Sequence, residues 1–159
     1  MKSVIVLNTE KDSSEAHTLK NFLRGQMQDM PANLRSIIDI LAEDLNFKKQ
    51  FYRSDCILLI GSRRASSLIQ SRQQETEDEF ITFDGEFIHD ELTENKELVR
   101  NKLVMVFLTE RSASDWIPNG LDEKRIFDLH NEKIHSGNPA LTHLEYTMRR
   151  VLGETIVDW

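Results

Sequence analysis

Cysteine is nearly absent from this chain: Cys56 is the only one, so no disulfide can form within it, and such usage fits a reducing compartment. The thiol lies inside an apolar run with no cation beside it, where it stays protonated and acts as a small hydrophobe. Long apolar runs are missing too. None approaches the roughly eighteen residues that a membrane-spanning helix needs, and the first residues lead straight into a strand pattern, so no signal peptide is expected. Positive charge is in deficit, with 20 Lys and Arg against 27 Asp and Glu and a net charge of −7. Phosphate binding needs a concentrated positive surface, which argues against nucleic acid as the main partner. The basic pairs Lys48-Lys49, Arg63-Arg64 and Arg149-Arg150 are scattered along the chain. Glycine is scarce where it would matter most. The stretch Gly61-Ser62-Arg63-Arg64-Ala65-Ser66-Ser67 follows an apolar run as a phosphate loop does, but it has one glycine and no lysine, so a phosphate cradle is rejected. These absences point to a soluble, cytosolic chain.

What is present organises around Leu103-Val104-Met105-Val106-Phe107-Leu108-Thr109, an apolar run without polar alternation. A strand of this kind is covered on both faces, which is the situation of a central strand in a parallel sheet. Cys56-Ile57-Leu58-Leu59-Ile60 has the same character, and the polar, helix-patterned segment between the two runs makes a strand, crossover, strand unit of right-handed connection. At 159 residues and 39% hydrophobic content, one core and a single domain over residues 1–159 are expected.

In chain order, Val4 to Leu7 is a first strand, and Asp12 with Glu15 has the spacing of a capping box. Ala16, Leu19, Leu23, Met27 and Met30 follow at helical spacing until Pro31. Leu34 to Leu41, rich in isoleucine, reads as a second strand with Asp39 near its carboxyl end, and Leu45 to Arg53 as a short helix. The polar stretch Gln70 to Glu79 reads as an exposed loop or frayed helix. A helix from about Glu86 to Arg100 buries Phe87, Ile88, Leu92, Leu98 and Val99 and turns His89, Asp90, Glu94 and Glu97 outward. Trp116 packs against the sheet edge, Arg125 to Leu129 is a fifth strand, and Asn138-Pro139 opens a closing helix that ends at Gly153. Five strands alternating with helices predict a flavodoxin-like doubly wound α/β sheet in strand order 2-1-3-4-5.

Two clusters of charge carry the candidate chemistry. Asp39, Glu43 and Asp44 gather at one turn, where receiver domains and some phosphatases hold Mg²⁺ with hard oxygen ligands. Without a matching lysine and hydroxyl pair after the later strands, they read as solvated loop acids, and no metal is assigned. The outward acids of the Glu86 helix form a stripe, and the Arg63-Arg64 turn is its opposite in charge.

From Phe51 to Leu129 the local sequences resemble the SEFIR family, the TIR-like cytosolic domains of interleukin-17 receptors and their adaptor. The resemblance rests on Tyr52-Arg53-Ser54-Asp55 leading into an apolar strand, an arginine-bearing loop after Ser62, an acid-rich insertion and a helix beginning near Phe87. The apolar strand at Leu103, the Trp116 and Pro118 loop and a short last strand continue it. Two departures are Asn8-Thr9 where that family ends its first strand in Tyr-Ser, and a shortened region between Asp39 and Ser54. The resemblance implies an interaction module that binds like domains through Arg63, Arg64, Glu86, His89, Asp90 and Glu94. It implies protein partners, no catalytic residue and no cofactor, with head-to-tail pairing of basic turn on acidic helix. It also implies the alternative, since some TIR-like domains cleave NAD with a glutamate on the helix after the third strand, for which Glu86 or Glu91 is nearest here.

Overall fold

A computed structural model of the chain describes residues 2–30, 32–71 and 83–153. Its centre is one parallel five-stranded sheet of β1 (Lys2–Leu7), β2 (Ala32–Ser36), β3 (Cys56–Gly61), β4 (Leu103–Phe107) and β5 (Ile126–Asp128) in the order β2-β1-β3-β4-β5. This is the doubly wound, flavodoxin-like arrangement that the apolar runs predict. In β3 and β4 every residue is buried, as a strand covered on both faces requires.

Side-chain alternation divides the core in two. Val4, Val6, Leu58, Ile60, Val104 and Val106 point toward α1 (Ser13–Gln26) and α7 (Pro139–Val151), which contribute Leu19, Leu23, Leu141, Leu144 and Met148. Ile5, Leu7, Ile57, Leu59, Met105 and Phe107 point the other way. They meet a layer of shorter helices: α2 (Ile37–Ala42), α3 (Phe47–Arg53), α4 (Arg63–Gln70), α5 (Gly85–Glu94) and α6 (Lys96–Asn101). Each helix of this second layer starts on a side-chain cap. Ser36, Asn46, Ser62, Asp84 and Asn95 accept the amides of Asp39, Lys49, Ala65, Phe87 and Leu98 at 3.0–3.3 Å.

Three expectations are corrected. The segment Leu34 to Leu41 is not one strand: β2 stops at Ser36 and α2 starts at Ile37 with no loop between them. Ser36 and Asp39 form a reciprocal capping box, and the apolar residues then separate by helical phase, Ile37 and Ile40 buried, Ile38 and Leu41 about half exposed. Local capping here overrides the strand preference of β-branched residues. The helix expected from Glu86 to Arg100 is two helices, because the backbone leaves helical geometry at Asn95, whose side chain then caps α6. The third concerns Asp12, which makes no cap bond to α1 and is turned inward. Pro31 and the polar stretch from Arg72 to Thr82 lie outside the described residues.

Candidate functional site

In an open parallel sheet, ligands sit at the carboxyl ends of the strands, at the point where strand order reverses. Here that point lies between β1 and β3, and the chain's own side chains bridge it. Asp12, in the turn after β1, is 7% exposed, with Thr9 at 6% and Ser62, the residue after β3, at 4%. The Thr9 hydroxyl donates to Asp12 Oδ2 at 2.7 Å and the Ser62 hydroxyl donates to the same oxygen at 2.6 Å. A buried carboxylate is stable only with such donors, and they come from the second residue after β1 and the first after β3. Sequence reading missed this bridge. Its signal was the pair of hydroxyl residues Thr9 and Ser62, one at each strand's exit.

Arg63 and Arg64 occupy the first turn of α4 and are exposed. Among the described residues neither is ion-paired within the chain. On the adjacent α5, Glu86, Asp90 and Glu94 recur four residues apart and fall along one line of the helix, Glu86 and Asp90 half-buried and Glu94 exposed. His89 is half-buried rather than turned outward: its Nδ1 lies 3.3 Å from Asp90 Oδ1, and its ring centroid is 6.3 Å from that of Trp116. The Trp116 amide donates to Ser66 Oγ of α4 at 2.9 Å. Trp116 therefore connects the helix with the basic turn to the helix with the acidic line. The six residues expected at a contact surface thus lie on two packed helices, and among the described residues no ion pair joins Arg63 or Arg64 to Asp90 or Glu94.

The other candidates are spoken for. Glu91, one of the two glutamates on which a NAD-cleaving reading rests, accepts the Tyr52 hydroxyl at 2.5 Å, and that bond together with burial and the carboxylate's charge pushes the phenol up to about 12. Asp39 is paired to buried Lys20 at 2.7 Å and Glu43 to Arg35 at 2.6 Å. Among the described residues no group of three or more His, Cys, Asp or Glu is placed to hold a metal ion. A cavity of about 40 Å³ lies between the carboxyl ends of β1 and β2, lined by Asn8, Glu10, His17, Lys20, Ser36 and Ile38 among others. That is room for a few waters. No helix among the described residues is long and apolar enough to cross a membrane.

Comparison of the chain with protein-family models, with curated proteins and with solved structures gives no significant match. Fold and geometry therefore define the class: a parallel, doubly wound α/β sheet with a bridged switch point and two charged helices on one face. A fold of this class serves many functions, so anything narrower is argued from the surface.

Proposed function

We propose that this chain is an intracellular signalling interaction module of the SEFIR, TIR-like kind, which assembles with like domains in an interleukin-17-type receptor or adaptor pathway. The observation that carries the reading is the division of labour at the carboxyl end of the sheet. Asp12 spans the crevice where a small ligand would otherwise sit, while the charges of Arg63, Arg64, Asp90 and Glu94 are left at the surface without partners of opposite sign between the two helices. Opposite charges on one domain suit pairing of basic turn against acidic helix in a second copy or a related domain, and they fix its register.

The test is a charge-swap experiment. Arg63→Glu with Arg64→Glu should weaken association about tenfold while leaving thermal stability nearly unchanged, because exposed charges add little to folding. Asp90→Lys with Glu94→Lys on the opposing domain should restore part of the loss, since a like-charge clash becomes an attraction. Binding should fall from about 50 to 300 mM salt as the screening length shortens below about 10 Å. Unchanged binding by both reversals at low salt would remove this reading. Release of nicotinamide from NAD that disappears in Glu86→Ala would replace it with an enzymatic one.

A further inference from the structure

Asp12 is a buried carboxylate with a specific address. Its Oδ2 takes the Ser62 hydroxyl hydrogen at 2.6 Å, and Ser62 Oγ in turn accepts the Ala65 amide at 3.0 Å, which is the cap of α4. A serine hydroxyl has one hydrogen and two lone pairs, so fixing the hydrogen on Asp12 leaves a lone pair for Ala65. Thr9 holds the same carboxylate oxygen from the β1 side at 2.7 Å. α4 has eight residues, too few to be stable alone, so the direction in which it starts depends on that cap. Arg63 and Arg64 are its first two residues.

We propose that Asp12 is the positioning residue of the Arg63-Arg64 turn: from the loop after β1, and through Ser62, it sets how α4 begins and so where the two arginines stand. The inference rests on reading that turn as a contact surface. It assigns to the switch-point bridge a job beyond filling the crevice, since the bond that closes the crevice is also the one that aims the arginines.

The experiment combines Asp12→Ala and Asp12→Asn with the Arg63→Glu, Arg64→Glu pair in the full chain and measures association and amide exchange together. Asp12→Ala should weaken association about fivefold and speed exchange at Ala65 by a similar factor, the usual loss for a helix cap. Asp12→Asn keeps an oxygen that both hydroxyls can reach, and should recover most of both effects. On the double-glutamate background Asp12→Ala should weaken association no further. An equal loss on both backgrounds would mean general loosening and overturn the proposal, as would unchanged exchange at Ala65. If Asp12→Ala does not fold, Ser62→Ala against Ser62→Thr makes the same comparison from the other end of the bond. Should the arginine reversal itself leave association intact, or the wild-type chain not associate, the contact reading fails. Exchange at Ala65 then still decides whether Asp12 holds the turn.

Discussion

Gly61 closes β3 under the ring of Phe107, its partner across the ladder in β4. A methyl group at Gly61 would meet ring atoms Cε1, Cζ and Cδ1 at 2.4, 2.7 and 2.8 Å. Carbon atoms settle at about 3.5–4.0 Å, so ring or strand would have to move by roughly 1 Å. The ring has little room to do so: Phe107 is fully buried, and the Arg111 guanidinium lies over its face 4.7 Å from the centroid. Overpacking of this kind costs about 1–3 kcal/mol. Removing a glycine that needs no left-handed backbone returns about 0.4–1 kcal/mol by stiffening the unfolded chain. Gly61→Ala should therefore destabilise by about 1–2 kcal/mol net, read as a lower urea midpoint with unchanged slope. Phe107→Leu removes the two nearest opposing atoms, Cε1 and Cζ, leaves a δ-carbon on a side chain free to turn aside, and should itself cost on the order of 1–2 kcal/mol through the space it leaves. In that background Gly61→Ala should be neutral or slightly stabilising, a coupling of about 1–3 kcal/mol between the two sites. Additivity within about 0.5 kcal/mol, or a Gly61→Ala chain as stable as its parent, would refute the contact as the cause.

Val106→Asp should abolish soluble expression, because Val106 is 0% exposed and an unpaired buried charge costs several kcal/mol against a total of about 5–15. Cys56 is fully buried and its thiol is pushed up to about 12 by loss of water. Native chain should leave a thiol reagent uncoloured, and denaturant should release one equivalent; reaction without denaturant would contradict that burial. Asp39 is raised by burial but lowered further by Lys20 and by the Ser36 amide and hydroxyl, so its folded value lies below the ordinary 3.8. Its contribution is thus complete above about 3.8 and lost as pH falls below it. Urea midpoints from pH 5 to 2 should decline less steeply in Asp39→Asn than in the parent.

The sheet was legible because its evidence is dense: in the runs at Cys56 and Leu103 every residue needs burial, and only a twice-covered strand satisfies all of them. Strand order followed from the alternation of five strands with helices, the flavodoxin-like pattern. What escaped was decided by single hydrogen bonds. Ser36 and Asp39 turn an isoleucine-rich strand into a helix, and Asn95 splits one helix into two. Asp12 has the spacing of a cap to Glu15, yet fifty residues away Ser62 offers its carboxylate a donor, and no local pattern carries that information. At the surface, sequence found the arginines and the acidic line but set His89 outward. The aromatic neighbour that draws it in, Trp116, comes from a distant loop.

The helix layer that bears α4 and α5 contains no helix longer than ten residues, and isolated helices below about 12–15 residues are marginal in water. Their order is lent by the sheet beneath, and each piece hinges at its own cap. Such a face is segmental: each helix starts afresh on its own serine, asparagine or aspartate cap. What holds each piece is its buried side, Ile37 and Ile40 in α2, Phe51 in α3, Ile69 in α4, Ile88 and Leu92 in α5 and Val99 in α6, so this face is ordered by side chains packed on the sheet more than by helix length.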